Sequence, residues 1–226
     1  MDISNIQSFL KDLSENNNRE WFAANKSRYE ACKVDFEEIS KLLIMEIAAF
    51  DSEIRTVDVR DCVFRIYRDT RFAKDKTPYK THFGVFIAAE GGRKSERAGY
   101  YFHIEPNASF IASGVWCPPP PLLKVLRKSV YENIEELSEI RTNAGFSKYF
   151  DKFFDEDKLK TVPAGFPKDF EHAELLKLKH YMVEFKMDDD FLKQKDLVKS
   201  VAVVFSQAYP LNRFLNYAVD EYKGRI

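Results

Sequence analysis

The stretch "GYYFHIEPNASFIASGVW", residues 99–116, reads as the centre of a β-sheet. Its first half alternates, so that Tyr100, Phe102 and Ile104 fall on one side of an extended chain and Tyr101, His103 and Glu105 on the other. Pro106 and Asn107 then make the centre of a tight turn, because proline pre-sets the backbone of the first central position and asparagine tolerates the second. A second apolar run follows, and the stretch predicts an antiparallel hairpin of strands 99–105 and 108–115. A two-residue loop sets His103 opposite Phe110, Tyr101 opposite Ala112 and Gly99 opposite Gly114. Those small residues leave room above one face, for a ligand or for a closely packed helix.

Working outward, alternation and turn residues extend the sheet over about 53–116, with further strands at 62–68 and 81–89. The polar loop "EGGRKSERAG" joins the strand at 81–89 to the hairpin. Before the sheet, Ile3, Ile6, Phe9, Leu10 and Leu13 recur at helical spacing. A second helical stretch starts after Asn16-Asn17-Asn18, with Asn17 as N-cap and Glu20 completing a capping box, and runs to about Phe50. After the sheet, Pro118 to Pro121 lead into a helix from about 120. Short helices are expected near 146–154 and 169–177, and "HYMVEFKM" can add another strand. Residues 190–224 read as two helices parted near Tyr209-Pro210, since a helix interior rejects proline. The expectation is one α+β domain over 1–226: N-terminal helices at about 3–50, a mostly antiparallel central sheet, and a largely helical part at about 119–226 packed around it.

A chain of 226 residues with 45% hydrophobic content, including 20 Phe and 11 Tyr, has ample material for such a core. Lysine plus arginine (35) and aspartate plus glutamate (36) cancel to a net charge of -1, unlike a protein that coats nucleic acid non-specifically. Cys32, Cys62 and Cys117 lie far apart with no C-x-x-C spacing and read as reduced thiols, which points to a cytoplasmic setting. No apolar run is long enough for a membrane span, and the N-terminus lacks the basic and apolar regions of a signal peptide.

Positive charge is instead concentrated locally. "FRIYRDTRFAKDKTPYKTHF", residues 64–83, carries Arg65, Arg68, Arg71, Lys74, Lys76 and Lys80 beside Tyr67, Tyr79 and His82. Arginine suits bidentate contact with phosphate or carboxylate, and lysine supplies a point charge. Asp69 and Asp75 are expected as internal partners that hold these chains in place. The bland alternative is a solvated loop whose charges pair with one another. Beside the loop, the polar strand face of Tyr101, His103 and Glu105 makes a site wall, to which His82 can add a second imidazole. The two imidazoles, Glu105 and Asp69 are candidate acid–base groups or metal ligands. A lone H-x-E on a strand specifies no ligation, so no metal is assigned, and no cofactor or oligomeric state follows from the residues.

G-x-S-x-G, H-E-x-x-H, G-x-G-x-x-G and EF-hand patterns are absent. "GGRKS" at 91–95 imitates the end of a P-loop, but Arg93 stands where glycine is required. Trp21 and Trp116 read as core or rim aromatics rather than ligand platforms.

"FRIYRDTRFAKDKTPYKTHFGVFI" together with "GYYFHIEPNASFIASGVWCPPPPLLKVLR" resembles domain-of-unknown-function family 2461. "FLKDLSENNNREWFAANKSRYE" and "LLKLKHYMVEF" are similar to it as well, so the resemblance covers nearly the whole chain. It implies a single domain and supplies no reaction. Matched by motif, Arg65, Tyr67, Arg68, Asp69, Arg71, Lys74, Asp75, Lys76, Pro78, Tyr79, Lys80 and His82 belong to the family's first block, and His103, Glu105 and Pro106 to its second. Where relatives carry a glycine run after the position of Phe110, this chain has Ala112-Ser113-Gly114, which implies a tighter pocket.

The functional expectation is an anionic small molecule bearing phosphate or carboxylate, a nucleotide among the candidates, held by the 65–82 loop and the Tyr/His/Glu face, with catalysis left open. One alternative is a nucleic-acid-associated protein, with Tyr67, Phe72 and Tyr79 stacking on bases and a basic stripe that recruits Arg93, Lys94 and Arg97. Another is a protein-interaction module without catalysis, marked by an exposed apolar patch beside the loop.

Overall fold

A computed structural model describes residues 3–226 of the chain. The N-terminal helices are α1 (Ile3–Glu15), α2 (Arg19–Ala24) and α3 (Lys26–Ile47), and a short α4 (Val59–Cys62) precedes the sheet. Strands β1 (Phe83–Ile87), β2 (Gly99–Ile104) and β3 (Phe110–Val115) are followed by α5 (Pro120–Glu132), α6 (Ile134–Thr142), α7 (Ala144–Ser147) and α8 (Ala173–Leu176). Then come β4 (Tyr181–Lys186), α9 (Asp189–Leu192) and α10 (Leu197–Tyr222). The strands form one antiparallel sheet in the order β1-β2-β3-β4, so the class is α+β.

The hairpin has the register that its turn dictates: Gly99 faces Gly114, Tyr101 faces Ala112 and His103 faces Phe110. Asn107 takes a φ of +61°, and the Ala108 N–H closes the turn on the Glu105 carbonyl at 3.1 Å. Tyr100, Phe102 and Ile104 are buried against the helices. Phe36 of α3 stacks on Phe102 at 6.2 Å, and Phe205 of α10 meets the Tyr100 ring edge-on at 5.2 Å. Helices thus cover one face of the sheet and leave the other to the site. Pro120 opens α5, where its missing N–H costs nothing.

Three expectations need correction. Residues 62–68 form no regular strand; they make isolated bridges, Val63 with Val85 and Tyr67 with Tyr79. The segment folds back on its own loop, with the Arg68 N–H on the Pro78 carbonyl and the Lys80 N–H on the Ile66 carbonyl. Pro78 has no N–H to continue a ladder. Second, α10 runs unbroken through Pro210. Pro210 is exposed, so the Ser206 carbonyl that it frees can turn toward water, while Val201, Phe205, Leu211 and Leu215 stay buried on both sides of it. Third, the cap of α2 is Asn18, whose side chain accepts the Trp21 N–H at 2.9 Å.

Asn17 instead clamps the basic segment. Its Nδ2 donates to the Tyr79 carbonyl at 2.9 Å and its Oδ1 accepts the Tyr79 N–H at 3.1 Å. Replacing Asn17 with alanine strips both partners from a part-buried peptide, and is expected to lower unfolding free energy by about 1–3 kcal/mol. Urea denaturation checks this, and an unchanged midpoint would contradict it.

No helix among the described residues is long and apolar enough to cross a membrane.

Candidate functional site

The face of the sheet turned away from the helices is built in cross-strand rows. One row is Gly84, His103, Phe110 and Lys186; the next is Phe86, Tyr101, Ala112 and Glu184. Beyond them Gly99, Gly114 and Met182 complete the floor. A cleft of about 590 Å³ lies over this face, with Lys80 and His82 at one end and Trp116 and Phe154 at the other. Phe64, Phe86 and Phe110 contribute aromatic surface to its walls. The small floor residues therefore open onto space rather than onto a packed helix.

Glycine at 84 has a specific consequence. A Cβ there would stand 2.6 Å from the Tyr101 hydroxyl, so the bare backbone admits the phenol ring. Tyr101 Oη lies 2.9 Å from His103 Nδ1, and His103 Nε2 lies 3.1 Å from Glu105 Oε2. An ionised carboxylate only accepts, which assigns the proton to Nε2 and makes Nδ1 the acceptor of the tyrosine hydroxyl. The second oxygen of Glu105 accepts from Thr81 Oγ1 at 2.5 Å. This chain of hydrogen bonds fixes the imidazole of His103, which also stacks on Phe110 at 4.5 Å.

Burial acts to raise Glu105, but hydrogen bonds from Thr81 and His103 outweigh it and hold the carboxyl below its ordinary range. Burial lowers His103, and burial together with the neighbouring His103 pushes His82 down to about 4. Burial also raises the Tyr101 phenol, with Glu105 adding to the effect. The His82 and His103 rings are 4.3 Å apart, and with Glu105 they present ligand atoms within 4.8 Å of one another. The arrangement offers a positioned imidazole for proton transfer and a nitrogen–oxygen donor set for a cation.

Of the residues singled out from sequence, Lys80, His82, Arg93, Arg97, Tyr101 and His103 line the cleft, and Glu105 stands behind His103. The other basic side chains of residues 64–83 do not line it. Arg68 pairs with Asp75 at 2.5 Å and also bonds Thr77, while Arg71 pairs with Asp69 at 2.7 Å. Lys76 donates to the Thr70 carbonyl at 2.9 Å. The two aspartates do serve as the expected internal partners. Tyr79 is buried and stacks on Phe22 at 3.9 Å, so it belongs to the core; Tyr67 and Arg65 are exposed outside the cleft. Arg97, expected on a basic stripe, is 5% exposed and locked by Glu53 and Asp220.

Lys80 differs from its neighbours. It is half-buried with its Nζ 5.1 Å from the centre of the Phe64 ring, and no carboxylate among the described residues lies within ion-pairing distance. Burial, with the nearby Arg65 adding to it, lowers its pKa.

Sequence reasoning missed Glu184 and Met182, which β4 brings beside Ala112 and Gly114. Alternation in "HYMVEFKM" places both on one face, but only the sheet order shows which face. Trp116 is 53% exposed and stacks on His180 at 3.9 Å, forming the far rim.

The family model described as "Conserved hypothetical protein (DUF2461)" matches residues 5–214. The chain belongs to this family. The matched region includes every strand and all the residues that line the cleft. No curated protein and no solved structure matches the chain.

Proposed function

We propose that the cleft binds a small organic molecule carrying a carboxylate or phosphate, with Lys80 as its counter-charge and the aromatic walls around its body. The observation that carries this reading is the half-buried, unpaired ammonium of Lys80 at one end of a cleft of about 590 Å³. A half-buried cation without an anion has given up part of its hydration, and a bound anion would offset that cost. Arg65 strengthens the local positive field, whereas Arg68, Arg71 and Lys76 are taken up by bonds within their loop. Tyr101 and His103 supply polar atoms that fix orientation, in the way ligand clefts place a few convergent polar groups among apolar walls.

A thermal-shift screen against aromatic carboxylates, dicarboxylates, sugar phosphates and nucleotides tests the reading. At least one class should stabilise the chain, and Lys80→Met should weaken its binding by about tenfold or more, the worth of one charge-assisted contact. A stabiliser that binds Lys80→Met as tightly as the intact chain would contradict it.

A second reading rests on Phe72, which is 96% exposed at the loop tip between Arg71 and Lys74. With the exposed Tyr67 it would form a stacking surface for single-stranded nucleic acid. Salt-sensitive binding of short oligonucleotides, lost in Phe72→Ala and retained in Lys80→Met, would favour it.

A further inference from the structure

We infer that His82, His103 and Glu105 form a binding site for a divalent first-row transition metal, open on the side of the cleft. The inference shares the cleft of the proposed organic ligand but does not depend on that ligand. His103 and Glu105 are two residues apart on one face of the hairpin. Phe83 pairs with Ile104, so the residue before it, His82, comes alongside Glu105, and alternation turns it to the same face. The scaffold thus converges two imidazoles and a carboxylate, with ligand atoms within 4.8 Å of one another. Metal–ligand bonds of about 2.0–2.2 Å require only modest further approach.

Three details separate this cluster from a chance grouping. First, among the described residues no hydrogen bond reaches either ring nitrogen of His82, whose half-buried ring lies 4.3 Å from that of His103. Nothing within the described residues competes for those nitrogens, so one of them is free to ligate a metal ion. Second, an outer shell is already in place. If His103 ligates through Nε2, its Nδ1–H donates to Tyr101 Oη across the same 2.9 Å, while Thr81 keeps hold of the second oxygen of Glu105. Ligating histidines usually have such a partner on the other nitrogen. Third, His82 is the one member that no hydrogen bond among the described residues pins, so a side-chain rotation can close the set.

The donors indicate the class of metal. Two imidazoles and one carboxylate suit zinc, iron(II), cobalt(II) or manganese(II), whereas magnesium and calcium favour oxygen throughout. Three protein ligands leave coordination positions free toward the cleft, where Tyr101 and Lys80 stand.

The test uses the full chain without a histidine tag, dialysed against chelator and titrated with cobalt(II) and zinc(II) in the absence of any organic ligand. The expected result is one ion per chain, with a cobalt visible spectrum of nitrogen–oxygen ligation and displacement by zinc. His82→Ala and Glu105→Gln should each weaken binding by about 100-fold or more, and Tyr101→Phe by about 10-fold, through loss of the outer-shell partner. Cys117→Ser, which removes the exposed thiol near Trp116 and His180, should leave affinity unchanged. Far-ultraviolet circular dichroism verifies folding, and His82→Gln replaces His82→Ala should the latter unfold. The inference is overturned if the intact chain binds neither ion more tightly than about 0.1 mM, or if folded His82 and Glu105 variants bind as well as the intact chain. Because the organic-anion screen reads Lys80 without added metal, either proposal can fail while the other stands.

Discussion

Gly114→Ala is expected to cost the fold on the order of 4 kcal/mol, near the upper end of what a single substitution does. Gly114 has a φ of +124°, a conformation that side-chain-bearing residues rarely adopt. A Cβ there would collide with the Tyr181 carbonyl oxygen and lie 2.7 Å from the Met182 Cα. Both obstacles are backbone, so no side-chain rotation relieves them, and β3 and β4 must separate. Because β4 carries Met182 and Glu184 into the cleft, the same substitution should disorder that wall. Denaturant unfolding gives the loss directly. A change below about 1 kcal/mol would show that the two strands tolerate separation and that glycine is not required here.

The second large effect is expected for Arg97→Ala, about 3 kcal/mol. Arg97 joins three distant parts of the chain: Nη2 donates to Glu53 at 2.6 Å, Nη1 to Asp220 of α10, and Glu90 lies at 3.9 Å. Removing one member of a buried ion network strands the others, at about 3–5 kcal/mol; the half exposure of Glu53 places this case at the lower end. Arg225 also bonds Asp220, which limits the loss further. For a chain of this size the melting temperature should fall by roughly 6–12 °C. An unchanged melt would mean that the remaining polar ties hold β2 to α10 unaided. Those ties are specific: Asn216 bonds both the N–H and the carbonyl of Ala98, and Asn212 bonds the Gly99 carbonyl and Ser113.

The hairpin was legible in the sequence because every local signal in it agreed. Alternation, Pro106-Asn107 and matched small residues all specified one register, and the register then placed Tyr101, His103 and Glu105 together. The site was partly legible for the same reason, since Lys80 and His82 continue into β1, whose pairing partner is β2. What failed depended on distant contacts. Alternation at 62–68 is real, but whether an extended segment gains a full ladder depends on its neighbour, and here that neighbour is a loop containing Pro78. Pro210 signals a helix break only where burial on both sides does not hold the helix together. The charge of the basic segment pointed to a surface as a whole; local pairing with Asp69 and Asp75 consumed most of it. Sequence could nominate those aspartates as partners but not show that Lys80 would be left over.

That distinction between the paired loop and the unpaired Lys80 is the centre of the functional account. It is tested most directly by calorimetric titration of the best stabilising organic anion into the intact chain, Lys80→Met and Arg71→Met, each verified as folded. The account predicts that affinity falls by about tenfold or more in Lys80→Met and stays within about twofold in Arg71→Met. The reverse pattern, loss in Arg71→Met with Lys80→Met unaffected, would move the site from the cleft to the exposed loop and contradict the account.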